Sequence, residues 1–169
     1  EKRFFEPLEM KNTYTEDEER VTPNESDGYV LRDGKYYSNR RDWDRATIGS
    51  GGVFSTTGDL VKWNNSLTNN TILSKDSTEK LFSYSKLNNG AESNYALGWY
   101  VNNIFGVRVA YHTGSTGPEI IRIPEKGLFV VVLSNLDGVG SGASEVAEAL
   151  VPELKPDPLL IERTGGSVT

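Results

Sequence analysis

The chain of 169 residues contains no cysteine, one methionine and one histidine. The absence of cysteine excludes a disulfide framework, a thiolate metal site and a cysteine nucleophile. Because His112 is the only imidazole, neither a metal centre with several histidines nor a Ser-His-Asp protease can be assumed from the composition. We therefore expect neither a cofactor nor a bound metal.

The chain also lacks long apolar runs and an excess of positive charge. Its longest apolar run, Leu128–Leu133, is far too short to span a bilayer. The 18 lysines and arginines are outnumbered by 24 aspartates and glutamates, which predicts no nucleic-acid partner and no binding to anionic lipid. The segment Glu1–Phe5 has no apolar stretch typical of a signal peptide, which leaves open whether the true N-terminus is missing.

What is present is typical of a globular unit, with 36% hydrophobic residues. Residues 1 to about 52 are polar and rich in turn formers, which predicts loops with at most short elements. Two helices are expected between residues 55 and about 86. The first begins at a Thr56-x-x-Asp59 cap and the second at Asp76-x-x-Glu79.

After residue 94 the hydrophobic pattern alternates, as in strands. The first predicted strand has Tyr95, Leu97, Trp99 and Val101 on one face, and the second has Val107, Val109 and Tyr111. A third strand is expected over residues 120–124, a fourth over 128–133 and a helix over 144–151. We predict an α+β fold in which an antiparallel meander of about four strands carries a terminal helix on one face.

The fourth strand is apolar throughout, which implies cover on both faces and neighbours on both edges. Either the helices between residues 56 and 83 cover its second face, or part of the sheet is not in this sequence.

Five blocks, in the same order, resemble the serine β-lactamase-like superfamily, which includes class C β-lactamases, D-alanyl-D-alanine carboxypeptidases and related esterases. The blocks are Phe5–Thr13 ("PLGM..T"), Gly49–Leu60, Tyr95–Trp99 ("YGLGW"), His112–Gly117 (Lys/His-x-Gly) and Ile123–Asn135. One departure is Glu9, where the superfamily usually has glycine, so the local turn is in doubt there. The resemblance implies the C-terminal part of a β-lactamase and penicillin-binding-protein-like (transpeptidase-like) fold. It divides the chain into a remnant of the helical lobe (1–90), the sheet with its terminal helix (91–151) and a tail or linker (152–169).

The resemblance also implies an absence, because the superfamily carries Ser-x-x-Lys and then Tyr-x-Asn upstream of the "PLGM" segment. Ser83–Lys86 and Tyr37–Asn39 match these patterns but stand in the reverse order. About one Ser-x-x-Lys is expected by chance in a chain of this composition. We expect Ser83 to lie at a solvated helix end and Tyr37 in a surface loop.

The His112–Gly117 block carries the predicted site. As the resemblance implies, His112 and Ser115 are catalytic: the Ser115 N–H is one of two oxyanion-hole donors, and His112 hydrogen-bonds toward the catalytic tyrosine and serine. Thr113, Gly114 and Thr116 are expected to bind substrate. The bland alternative is a strand-end histidine bonded to a neighbour.

Two functions remain open. The first is the C-terminal portion of a serine acyl hydrolase, acting on a small-molecule or peptide acyl substrate and needing the missing N-terminal half of the fold; without it, we expect this chain to be inactive. The second is a non-catalytic binding or interaction module, or a pseudoenzyme, of the same fold. The resemblance implies a bacterial cell envelope or secreted location, with the cytoplasm as the exception.

Overall fold

The computed structural model describes residues 1–15, 21–39, 49–104, 106–137 and 142–154. The helices are α1 (Thr57–Thr68), α2 (Lys75–Leu81) and α3 (Ala143–Leu150). The strands are β1 (Tyr14–Thr15), β2 (Tyr29–Arg32), β3 (Lys35–Ser38), β4 (Val53–Phe54), β5 (Ser85–Lys86), β6 (Glu92–Ser93), β7 (Tyr100–Ile104), β8 (Val107–Thr113), β9 (Glu119–Ile123), β10 (Leu128–Val132) and β11 (Leu136–Asp137). No helix in these ranges is long and apolar enough to cross a bilayer.

Four of the strands form the central antiparallel sheet, in the order β10-β9-β8-β7. A 3-10 turn over Pro124–Lys126 joins β9 to β10 and ends at Gly127, whose positive φ of 60° suits glycine. Helix α3 packs on β9 and β10, and its Ala143 and Ala147 are fully buried in a core with Ile121 and Val130. The predicted α+β meander with a terminal helix is confirmed.

The second face of this sheet is covered from the first half of the chain. Trp63 of α1 stacks on Trp99 with ring centroids 5.6 Å apart, and Phe82 lies tilted against the same indole at 5.3 Å. Leu67 and Ala110 complete this second apolar cluster, and α1 also contacts β10. Helix α1 therefore covers the second face of the apolar last strand. On its far edge, no strand pairs with β10 within the part of the chain that the structure describes.

The predicted strand over Tyr95–Val101 is wrong. Residues 96–99 form a tight turn closed by the Ala96 N–H donating to the Trp99 carbonyl at 2.7 Å, with Gly98 at a φ of 81°. Consequently Leu97 projects from the turn and is 63% exposed, whereas Trp99 and Val101 are buried. The strand begins only at Tyr100.

Helices α1 and α2 each begin at a hydroxyl cap. Thr56 caps α1 as predicted, since its side chain accepts a hydrogen bond from the Asp59 N–H. The predicted cap of α2 is wrong: Ser74 accepts from the Ser77 N–H, and Asp76 lies in the first turn. An aspartate is favourable there because its negative charge lies near the positive N-terminal end of the helix dipole.

The polar N-terminal stretch contains short elements, as expected. Strands β2 and β3 form a hairpin, and β11 pairs parallel to β2. Glu9, which replaces the usual glycine of the resembled block, has a φ of 54° in the left-handed region that favours glycine. The turn is therefore kept despite the glutamate, at some steric cost.

The division of the chain at residues 90 and 151 stays a prediction. Pro152–Leu154 form a 3-10 turn in which Leu154 is fully buried. The rest of the predicted tail, residues 155–169, lies outside the described residues.

Candidate active site

The predicted site lies at the C-terminal end of β8, where this strand outruns its neighbour β7. The pairing with β7 ends at Tyr100 opposite Tyr111. On the other side, β9 continues the pairing with His112 opposite Ile120 and Thr113 opposite Glu119. Among the described strands, none pairs with His112 and Thr113 on the β7 side. This end of β8 therefore presents an open backbone edge.

Beyond the open edge the chain makes a tight turn over Gly114–Gly117. The Gly114 N–H donates to the Pro118 carbonyl at 2.7 Å, and the Gly117 N–H to the Gly114 carbonyl at 3.2 Å. A Cβ at Gly114 would lie only 2.5 Å from Pro118 Cγ. Gly117 has a φ of 92°, and a Cβ there would lie 2.8 Å from the Leu136 carbonyl oxygen. Both glycines are thus required by close packing of the turn.

The turn places Ser115 and Thr116 at its two central positions. Ser115 is exposed, and within the described residues no hydrogen bond engages its N–H or its hydroxyl. This N–H is therefore free to donate to a ligand. Thr116 is half-buried beside Gly28, the residue preceding β2.

His112 is half-buried, and both of its ring nitrogens have a partner. Its Nε2 lies 3.1 Å from the hydroxyl of Tyr95, and its Nδ1 lies 2.8 Å from the carbonyl oxygen of Thr113. The imidazole also contacts the ring of Tyr100, with centroids 5.6 Å apart. The sequence predicts for Tyr95 only a position on a strand face and does not single it out as a site residue.

A buried polar pair links the strand next to the open edge to helix α3. Glu119, which pairs with Thr113 across the sheet, is buried and accepts a hydrogen bond from the Ser144 hydroxyl at 2.9 Å. Ser144 lies in the first turn of α3, where a carboxylate is favoured by the helix dipole. The start of β9 is thus fixed to α3. Sequence reasoning missed Glu119, since nothing in its local pattern marks it as buried.

The two look-alike motifs lie elsewhere in the fold. Ser83 follows α2, is exposed and donates its hydroxyl to the Glu79 carbonyl at 2.7 Å, which is the expected environment of a helix end. Tyr37 is exposed as expected, but it lies on strand β3 and not in a loop. No contact joins either of them to His112 in the described ranges.

Asp59 connects two of the five resembling blocks. Its Oδ2 accepts from the Asn12 N–H at 2.8 Å and from the Thr13 hydroxyl at 3.0 Å, and its Oδ1 lies 2.8 Å from Lys62 Nζ. Lys62 also donates to the Glu9 carbonyl at 2.6 Å. These contacts tie the Phe5–Thr13 segment to the start of α1, so both blocks have a structural use.

Comparison with known families settles the wider relationship. The model of the family described as Beta-lactamase matches residues 1–151. The chain belongs to the beta-lactamase family. Its resemblance to the serine β-lactamase and penicillin-binding-protein superfamily is thereby confirmed, although the roles of the individual site residues stay predictions.

Among the proteins that this beta-lactamase-family chain resembles are penicillin-binding proteins and a homologue of them. It is 36% identical over 78 residues to Penicillin-binding protein 4* of Bacillus subtilis (strain 168), which covers 46% of this chain and 17% of that protein. A penicillin-binding protein homologue from Pyrococcus abyssi, described as octameric, superposes with a TM-score of 0.76 at 26% identity over 96% of this chain and 39% of its own.

The penicillin-binding protein from Bacillus halodurans shares the fold, with a TM-score of 0.67 at 18% identity over 88% of this chain and 48% of its own. The chain thus spans less than half the length of each of these three proteins.

Proposed function

We propose that this chain is the C-terminal portion of a serine acyl hydrolase that works through an acyl-enzyme. The family relationship supports the reaction class. The observation that carries the proposal is the free Ser115 N–H, which lies in a glycine-bounded turn directly after the open edge of β8. An unpaired strand edge followed by an unpaired donor can hold an extended acyl substrate and its developing oxyanion together.

The chemistry assigns separate tasks to the residues of this edge. A serine hydroxyl gives its proton to a base and attacks the acyl carbon, and the carbonyl oxygen becomes an oxyanion. Its collapse breaks the scissile C–N or C–O bond and expels the amine or alcohol with that proton; water or another acceptor later cleaves the acyl-enzyme ester. The Ser115 N–H stabilises the oxyanion, because a fixed dipole is already aimed at the charge as it forms. Thr113, Gly114 and Thr116 bind the acyl group, and the missing side chain of Gly114 lets substrate approach the backbone.

The nucleophile, in this proposal, is supplied from outside the 169 residues. Two observations support this: the chain spans 17%, 39% and 48% of its three relatives, and β10 has an edge unpaired by any described strand. An apolar strand with an open edge favours a further strand from the rest of the fold. The chain alone is then inactive, and its acyl substrate, a peptide stem, a β-lactam or an ester, is chosen together with that other part.

The environment of the look-alike motifs favours a second candidate, a non-catalytic module or pseudoenzyme that binds ligands at the same edge. Ser83 donates its hydroxyl to a helix carbonyl, and no described contact brings it to His112.

A location in the bacterial envelope or outside the cell, with the cytoplasm as the alternative, is likewise proposed from the resemblance and the penicillin-binding relatives.

A covalent serine probe, a fluorescent β-lactam or a fluorophosphonate, separates the two candidates. We expect no labelling of the 169-residue chain and labelling of a longer gene product that contains it. Labelling of the short chain that disappears in Ser83→Ala would instead make Ser83 the nucleophile. Absence of labelling in both proteins would favour the non-catalytic module.

The role of Ser115 has a matched pair of variants. Ser115 is the second residue of the turn, a position that proline favours, so Ser115→Pro removes the N–H while the turn is kept. In the longer product we expect Ser115→Pro to slow acylation about 100- to 1000-fold, as for the loss of one oxyanion donor. Ser115→Ala keeps the N–H and should label within a few-fold of the parent. Equal rates in all three proteins would contradict the assignment.

A further inference from the structure

The single histidine of the chain is held between two oxygen atoms of different chemistry. Nδ1 lies 2.8 Å from the Thr113 carbonyl oxygen, and Nε2 lies 3.1 Å from the Tyr95 hydroxyl. A carbonyl oxygen can only accept a hydrogen bond, whereas a phenol can donate or accept. The contact with Thr113 therefore permits one direction of hydrogen bonding, and the contact with Tyr95 permits two.

The carbonyl determines the position of the proton on the neutral ring. If the proton were on Nε2, the lone pair of Nδ1 would face the lone pairs of Thr113 oxygen across 2.8 Å, which is repulsive. With the proton on Nδ1, this contact is a hydrogen bond, and Nε2 becomes an acceptor. The Tyr95 hydroxyl must then donate to Nε2.

Tyr95 is itself held firmly by the fold. It forms a bridge with Tyr100, and the two rings lie edge to face at 4.7 Å. Tyr100 pairs with Tyr111 on β8 and stacks on it at 5.4 Å. The turn that follows Tyr95 is anchored by the buried Trp99. The phenol thus reaches His112 from an aromatic cluster that packs on β8.

We propose that Tyr95 is a positioning residue: while the Thr113 carbonyl holds His112 as the Nδ1–H tautomer, the Tyr95 hydroxyl donates a hydrogen bond to Nε2 and occupies that nitrogen. The imidazole then has no free nitrogen with which to accept a proton from a reacting group at this edge. In the proposed hydrolase, His112 is held in place at the open edge of β8. A hydrogen bond between its Nε2 and a catalytic tyrosine or serine requires the Tyr95 hydroxyl to move away from that nitrogen. That role rests on the proposed function, but the tautomer itself does not.

The tautomer is directly measurable, because ¹⁵N-histidine labels one residue in the 169-residue chain. We would record its ring ¹⁵N shifts at about pH 9, well above the ordinary imidazole pKa of about 6.5. We expect the proton on Nδ1 in the parent chain. In Tyr95→Phe we expect the proton to stay on Nδ1 and the Nε2 resonance to move downfield, because that nitrogen no longer accepts a hydrogen bond.

Tyr84→Phe is the matched control, since Tyr84 is 45% exposed and Tyr95 42%, and it should leave the ring shifts unchanged. A proton mainly on Nε2 in the parent chain would overturn the proposal without any variant, so a poorly folding Tyr95→Phe does not remove the test. Unchanged ring shifts in a folded Tyr95→Phe would also overturn it.

The measurement needs no catalysis, so the two proposals fail separately. If the ring ¹⁵N shifts behave as expected but the longer gene product does not react with the serine probe, the hydrolase proposal fails and the Tyr95 assignment stands. If the longer product is labelled but Tyr95→Phe leaves the Nε2 shift unchanged, the Tyr95 assignment fails and the hydrolase proposal stands.

Discussion

Asp59 illustrates how one buried side chain can stabilise the junction of two distant segments. It is 1% exposed, and its carboxylate accepts hydrogen bonds from a lysine, a hydroxyl and a backbone N–H. Burial by itself disfavours the charged carboxylate and raises its pKa. The hydrogen bonds from Lys62, the Asn12 N–H and Thr13, with the charge of Lys62, outweigh that effect, so the pKa of Asp59 lies below its ordinary value.

The consequence is a stability that depends on pH. Because the folded pKa is depressed, the contribution of Asp59 is fully present above the ordinary carboxyl pKa and is lost as the pH falls through the folded value. We expect Asp59→Asn to lower the free energy of unfolding by about 1–3 kcal/mol at neutral pH, since a charged acceptor of several bonds is removed.

Urea unfolding at several pH values measures this effect. The difference between the parent and Asp59→Asn should shrink below the ordinary carboxyl pKa. Asp76→Asn, on the exposed side of α2, is the control and should change stability by a few tenths of a kcal/mol at most. A difference for Asp59→Asn that is independent of pH would show that its charge is unimportant.

Single residues also show the limit of reading a site from sequence. His112 stands out as the lone imidazole in a resembling block, so it can be singled out without a structure. Its partner Tyr95 is 17 residues away and belongs to a different block. No spacing rule joins the two, because the turn at residues 96–99 and the pairing of β7 with β8 bring them together.

At the level of elements, the turn after β8 depends on a glycine without room for a side chain. We expect Gly114→Ala to destabilise the chain by about 1–3 kcal/mol, because its Cβ would lie 2.5 Å from Pro118 Cγ and the turn must open. The same variant should reduce probe labelling of the longer product.

Gly58→Ala is a matched glycine variant within α1. A Cβ there meets its nearest atom, the Thr56 hydroxyl, at 3.9 Å, and the variant should stabilise the chain by about 0.4–1 kcal/mol. Thermal unfolding of both variants measures the contrast. Similar shifts in the same direction would mean that packing at Gly114 does not control the turn.

Elements differ in how well their pattern predicts them. The alternation of Val107, Val109 and Tyr111 is confirmed, because β8 lies between two neighbours and these three side chains share the face that packs against α3. The apparent alternation from Tyr95 to Val101 was misleading, since Gly98 allows a turn that reverses the chain. An aromatic side chain can be anchored in a turn as well as on a strand, and the pattern alone does not distinguish the two.

On the scale of the whole molecule, Arg122 joins the sheet to the first helix. It is 5% exposed; its Nε donates to Asn64 Oδ1 and its Nη2 to Thr68 Oγ1, both at 2.7 Å, and the guanidinium lies 5.0 Å from the centre of the Phe82 ring. Burial, and then the charge of Arg108, lower its pKa. Its contacts among the described residues are all with uncharged partners, so its charge gains little in return for desolvation.

This arrangement predicts an order among variants. Arg122→Met fills the same space without a charge and should change the free energy of unfolding by less than about 1.5 kcal/mol. Arg122→Ala leaves a cavity between α1 and β9 and should cost about 2–4 kcal/mol. Urea unfolding tests the order, and an equal loss in both variants would show that the charge, and not the volume, holds the two layers together.

The sequence by itself determined the family, the α+β class, the four-strand meander and the cap of α1, and it supplied the candidate site as a prediction. These follow from local periodicity, from hydroxyl and glycine chemistry, and from motifs that are contiguous in the chain. Only the tertiary structure decided that α1 covers the apolar last strand, that Asp59 and Glu119 are buried, and that Tyr95 meets His112. Each of these depends on which distant segments pack together, and the free energy of that packing is not encoded in the spacing of neighbouring residues.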